Sequence, residues 1–142
     1  LLIDGDLRNG AVEQYVRPPR TGPGLRQCLE DRDLDVALPI QPDVLDNLSI
    51  MFSGGRAANA QELLASDRFG AVIERCLRDY DLTIIDTPPA NSCADGRRIS
   101  TVSGYAIIVA RRHQSFINDL RTLADQLSED RALVIGTILN EA

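Results

Sequence analysis

Five short apolar runs in this chain are continuous rather than alternating, and they constrain the fold more than any other feature. They cover residues 1–3, 48–52, 82–85, 105–110 and 132–139. Strands covered on both faces read this way, because neither face turns polar side chains to water. Between the runs the apolar period changes to that of a helix. Phe69, Val72, Ile73, Cys76, Leu77 and Tyr80 form one stripe. Ser66 stands where an N-cap belongs, and Asp67 suits the positive first turn. Phe116, Leu120, Leu123 and Leu127 mark a second long helix, starting near Gln114 or Ser115. Shorter helices are expected over residues 25–30 and 60–65.

Strands that alternate with helices predict an α/β fold with a doubly wound, mainly parallel sheet. One domain is expected over residues 1–142, a length that supports one core. The first strand starts at residue 1, so the sheet is expected to be incomplete at the N-terminus, with natural sequence before Leu1. Residues 9–24 contain Arg17-Pro18-Pro19-Arg20 and Gly22-Pro23-Gly24, and read as a long mobile loop. Tyr80 and Tyr105 fit packing positions, whereas Tyr15 falls in that loop.

Composition removes several chemistries. The formal charge of −6 argues against a nucleic-acid partner. Every one of the 15 basic residues is arginine, so these residues offer no Schiff-base, general-base or phosphate-loop lysine. Cys28, Cys76, Cys93 and the one histidine, His113, lack zinc-site spacing. Three cysteines also make an unlikely disulfide framework and suit a reducing, cytoplasmic setting. No apolar run reaches the roughly 18 residues of a membrane span, and no signal-peptide pattern opens the chain.

Ligands of open parallel sheets bind beyond the carboxyl ends of the strands. Two acidic segments fall there. In Ile3-Asp4-Gly5-Asp6-Leu7-Arg8 the strand period turns Asp4 and Asp6 the same way. Paired carboxylates can hold a hydrated magnesium ion or accept a hydroxyl proton. Arg8 adds a planar fork suited to phosphate. In residues 82–89 an apolar strand ends in Asp86 and is followed by Thr87-Pro88-Pro89, the pattern of a Walker B strand. An ordinary solvated turn is the competing reading of the first segment, and an ordinary strand end that of the second.

Taken in order, these segments resemble the bacterial tyrosine autokinases (BY-kinases) of capsule and exopolysaccharide synthesis. Residues 1–8 are similar to their Walker A′ strand. Asn47-Leu48-Ser49-Ile50-Met51-Phe52-Ser53-Gly54-Gly55 resembles the next strand and glycine turn. Residues 59–69 resemble the segment after it, and residues 80–89 the Walker B strand. Asp95 stands where the family often has an aspartate, and Ile138-Leu139-Asn140 is similar to the closing strand. ATPases of the MinD and ParA type share the two Walker strands, but the Asn-Leu-Ser and Glu-Leu-Leu-Ala-Ser-Asp segments favour the kinases.

The resemblance implies a P-loop ATPase fold that uses ATP and Mg2+. It implies that Asp4 orients or deprotonates the acceptor tyrosine. Asp6 and Asp86 would organise the magnesium through water. Arg8 would bind phosphate or lock its loop through a carboxylate, and Asn140 would contact adenine or act as a cap. The implied setting is the inner face of the cell membrane, in a homo-oligomer activated by a membrane polysaccharide co-polymerase. Residues 1–142 depart from the family in holding no Gly-Lys-Ser/Thr loop, expected one strand and one helix before residue 1, and no C-terminal tyrosine cluster. Alone they are expected to bind nucleotide poorly. A MinD- or ParA-like ATPase without kinase activity, and a non-catalytic binding module, are the alternatives.

Overall fold

A computed structural model describes residues 1–141. They form two compact units, residues 1–95 and the described residues from 96 onward. In the first unit a four-stranded sheet has the order β2-β3-β1-β4. Its centre is β1 (Leu2–Asp4), flanked in parallel by β3 (Leu48–Met51) and β4 (Ile84–Asp86). Strand β2 (Ile40–Leu45) runs antiparallel to β3 at the edge.

Register explains the core of this unit. Leu2 lies beside Ile50, and Ile3 beside Met51, so the two pairs face opposite sides of the sheet. On the Ile50 side, Val12 and Phe52 complete a buried cluster with Leu2, Val16, Val44 and Leu48. Val12 comes from a short helix, α1 (Val12–Tyr15), inside the segment read as loop. That segment is also tied down at Arg20, whose carbonyl accepts from Gln41 Nε2 at 3.0 Å. Helices α2 (Leu25–Glu30), α3 (Ala60–Leu64) and α4 (Asp67–Asp79) supply most other fully buried side chains, among them Leu25, Leu64, Phe69 and Ile73.

The long helix α4 follows its sequence signals closely. Ser66 Oγ accepts the Phe69 N–H at 3.2 Å, and Asp67 sits in the first turn. Phe69, Val72, Ile73 and Cys76 are buried at helical spacing, but Leu77 from the expected stripe is exposed. Arg68 reaches back to the Cys28 carbonyl at 3.1 Å and to the Leu34 carbonyl, clamping α4 to the end of α2.

The second unit is a parallel pair, β5 (Tyr105–Arg111) and β6 (Leu133–Asn140), with α6 (Ile117–Glu129) packed on one side. Helix α5 (Asp95–Ser103) leads into it, starting at the last residue of the first unit. Ile108, Leu127 and Ala132 form its core with Ala106, Leu120, Leu123, Ala124 and Val134. The other side of β5 is open: Tyr105, Ile107 and Val109 are exposed, so the expectation of burial on both faces, and of a packed Tyr105, does not hold here. Phe116 ends as the uncapped residue before α6 and is exposed, while Ser115 Oγ accepts the Arg111 N–H at 2.9 Å.

Candidate active site

The carboxyl ends of β1, β3 and β4 meet at one place. Asp4 lies directly beside Asp86 in the register, and the Gly5 N–H donates to the Asp86 carbonyl at 2.9 Å. The parallel ladder therefore runs through the acidic motif rather than stopping before it. Leu7 is fully buried and its carbonyl accepts the Ala57 N–H at 2.8 Å. That anchors the turn carrying Asp6 and Arg8.

Asp4 is 0% exposed. Its Oδ1 accepts the Asp6 N–H at 3.3 Å, while Oδ2 is buried without a hydrogen-bond partner. Burial pushes its pKa above the ordinary aspartate range, and the Asp86 and Asp6 charges add to that. The backbone N–H groups of Asp6 and Val12 pull the other way. Gly10 packs over this carboxyl: a Cβ there would stand 2.8 Å from Asp4 Oδ2 and 2.1 Å from Ser53 Oγ. A side chain at Gly10 would force Ser53 or Asp4 to shift.

Asp6 has a different environment. Its Oδ1 accepts the Arg8 N–H at 2.9 Å and the Asn9 N–H at 2.8 Å, an Asx-type turn. The Arg8 guanidinium forks onto Asp95, Nε to Oδ2 at 2.6 Å and a terminal nitrogen to Oδ1 at 3.2 Å. Asp86 opens to solvent. Surrounding protein raises its pKa first and the Asp6 charge second, against a hydrogen bond from the Thr87 N–H. Solvent reaching the side chain limits the first of these effects.

The third wall is the turn after β3. Gly54 and Gly55 have φ of 75° and 92°, the left-handed region that glycine occupies without strain. Gln27 Nε2 and Arg26 Nε both donate to the Gly54 carbonyl, at 2.9 and 3.1 Å. The first-turn amides of Leu25 and Arg26 donate to the Phe52 and Ser53 carbonyls at 2.8 and 2.9 Å. Helix α2 thus spends its N-terminal donors on holding the turn. Between the turn and α1 lies an open cleft of about 280 Å³, lined by Asn9, Gly10, Glu13, Gln14, Ser53, Gly55 and Arg56.

Asp4, Asp6, Arg8 and Asp86 all lie in the first unit. Asn140 lies in the second, opposite Arg111 in the β5–β6 register, with its carbonyl accepting the Arg112 N–H at 2.9 Å. Asp95 is the partner that sequence reading left unassigned; its position in the family was the available signal. Gly10 and Ser53 gave no signal, because only the fold brings them to Asp4.

No group of three or more His, Cys, Asp or Glu side chains among the described residues is arranged to hold a metal. A cation that needs a full protein cage does not fit. Magnesium needs no such cage: it takes one or two carboxylates, keeps several waters and binds substrate phosphates. Asp6 and Asp86 offer oxygen donors of that kind.

No protein-family model matches the chain. It is 32% identical over 141 residues to tyrosine-protein kinase ptk of Acinetobacter johnsonii, covering 99% of this chain and 19% of that protein. It is 29% identical to tyrosine-protein kinase CpsD of Streptococcus pneumoniae, covering 99% of this chain and 62% of that one. Among solved structures, the kinase domain of the Escherichia coli tyrosine kinase ETK superposes with a TM-score of 0.87 at 26% identity, over 99% of this chain and 55% of the other. The fold is that of the P-loop nucleotide hydrolases. The resemblance to the bacterial tyrosine autokinases holds, and the chain corresponds to a segment of their kinase domain. It spans about a fifth of the longer curated relatives and 62% of the shorter.

Proposed function

We propose that the chain is the acceptor- and magnesium-handling part of an ATP-dependent protein-tyrosine autokinase that regulates capsule or exopolysaccharide production. The observation that carries this reading is Asp4: a fully buried carboxyl with one unpartnered oxygen, at a strand end directly beside Asp86.

A tyrosine hydroxyl with a pKa near 10 needs help to lose its proton at neutral pH. Asp4 Oδ2 receives that proton as the phenolic oxygen attacks the γ-phosphorus of ATP and ADP leaves. Burial raises the basicity of Asp4 above that of a free aspartate, which suits the task. Asp6 and Asp86 would hold a magnesium ion through water. Bound magnesium neutralises charge on the phosphates. Arg8 is locked by Asp95 in a forked contact. The cleft beside Gly10 is the approach for the acceptor segment. Asn140 contacts adenine or serves as a cap. A phosphate-binding loop with its lysine belongs to the same kinase outside these residues.

In this reading the kinase works as a homo-oligomer at the inner face of the membrane, with a polysaccharide co-polymerase as activator. No helix among the described residues is long and apolar enough to cross a membrane. The test is incubation of the full-length gene product with Mg-ATP and mapping of phosphorylation by mass spectrometry. Phosphotyrosine in the wild type, absent in Asp4→Asn, is expected. Released phosphate with no modified tyrosine overturns the reading in favour of a plain ATPase.

A further inference from the structure

The Arg8–Asp95 pair differs from every other ion pair among the described residues. In the other four, both side chains are at least 28% exposed. Such pairs exchange with water and contribute little. Asp95 is 2% exposed, and both of its oxygens are taken up by one guanidinium in a forked contact. A carboxylate withdrawn from water this far is held in place only by its partner, and the partner is held equally. Arg8, whose own side chain is 40% exposed, is therefore fixed at its Nε edge although solvent reaches it.

The location gives that restraint a purpose. Arg8 is two residues from Asp6, and its backbone N–H is one of two that grip Asp6 Oδ1. Asp86 stands at the neighbouring strand end, directly beside Asp4 in the register. A long, flexible cation beside two carboxylates meant for a divalent ion is a competitor for that ion unless something holds it aside. We propose that Asp95 is a positioning residue: by seizing the Arg8 guanidinium it keeps Asp6 and Asp86 free for a divalent cation. This rests on the kinase reading above, and concerns metal affinity rather than the chemical step.

The test uses the full-length gene product and a fluorescent ADP, with magnesium titrated and melting temperature recorded for each variant. In Asp95→Asn the freed Arg8 turns to the carboxylates, and the magnesium concentration for half-maximal nucleotide binding rises about tenfold, with melting changed by only a few degrees. Adding Arg8→Gln to Asp95→Asn removes the competitor and returns the midpoint to within about twofold of wild type. A part that is merely structural predicts no such rescue. If Asp95→Asn does not fold, Asp95→Glu keeps the charge but displaces the anchor, and a smaller rise of about threefold is expected. An unchanged midpoint in a folded Asp95 variant overturns the proposal, as does a raised midpoint that Arg8→Gln fails to restore. A wild-type protein that binds no Mg-nucleotide at any concentration overturns the kinase reading itself, an outcome distinct from either.

Discussion

Asp4 carries two opposed consequences of one environment. Burial that makes its carboxylate a better base also makes the charged form unfavourable in the folded protein. With the folded pKa above the unfolded value, the native state binds more protons between the two. Stability therefore falls as pH rises through that window. Asp4→Asn removes the charge. We expect phosphotyrosine formation to drop by about 10²- to 10⁴-fold while the melting temperature at pH 7 rises above that of wild type. The stability gain should shrink as pH is lowered, and vanish below the ordinary aspartate value of 3.8. Melting curves of both proteins across that range check the sign, and a gain that persists at low pH would point to packing instead. Strand ends and local spacing mark Asp4, Asp6, Arg8 and Asp86 in the sequence. They do not pair Arg8 with Asp95, since 87 positions separate the two and only the closed sheet brings them together.

At the scale of elements, the closest approach of α2 to the β3 turn is backbone to backbone. A Cβ on Gly24 would lie 2.4 to 2.6 Å from Gly54 N, Gly54 Cα and the Phe52 carbonyl oxygen. None of these is the end of a flexible side chain, so the helix must move. Gly24→Ala is expected to destabilise the protein by about 3 kcal/mol, whereas Gly22→Ala, with nothing within 4 Å, stays within about 0.5 kcal/mol. Denaturant unfolding of the two variants makes the comparison. The same scale shows what the sequence makes legible. Helix α4 has a serine cap, an acidic first turn and a regular apolar stripe, so its limits were readable within a residue or two. Strand β2 was not, because Pro42 and Asp43 interrupt its apolar pattern. An antiparallel edge strand tolerates both: the pairing shifts between Gln41 and Leu45, and Asp43 takes φ of 49°. Asn47, at φ 59°, then closes the hairpin into β3. Helix α1 was hidden for another reason. Four residues, of which Val12 alone is buried, give no period to detect.

For the molecule as a whole, the unsettled surface is the outer face of the β5–β6 pair. Ile108 and Ala110 point to α6 and are buried, so by alternation Tyr105, Ile107 and Val109 share the opposite side, and all three are exposed. In the register Leu133 stands beside Tyr105 and Ile138 beside Val109, and both are exposed as well. Continuous apolar strands are written for cover on both faces, and here one face meets water. A contiguous apolar face of this kind drives association unless another surface lies on it. Residues 1–142 prepared alone should bind a hydrophobic dye and sediment as more than a monomer. Replacing Ile107 and Val109 by threonine keeps β-branched side chains suited to a strand while making that face more polar. The double variant should lose most of the dye signal and return toward the monomer, with the Ile108–Leu127 side of the unit untouched. Dye binding that is equal in the two proteins would show that the association starts elsewhere, and the exposed Leu82, before β4, and Ile84, within it, would be the next pair to substitute.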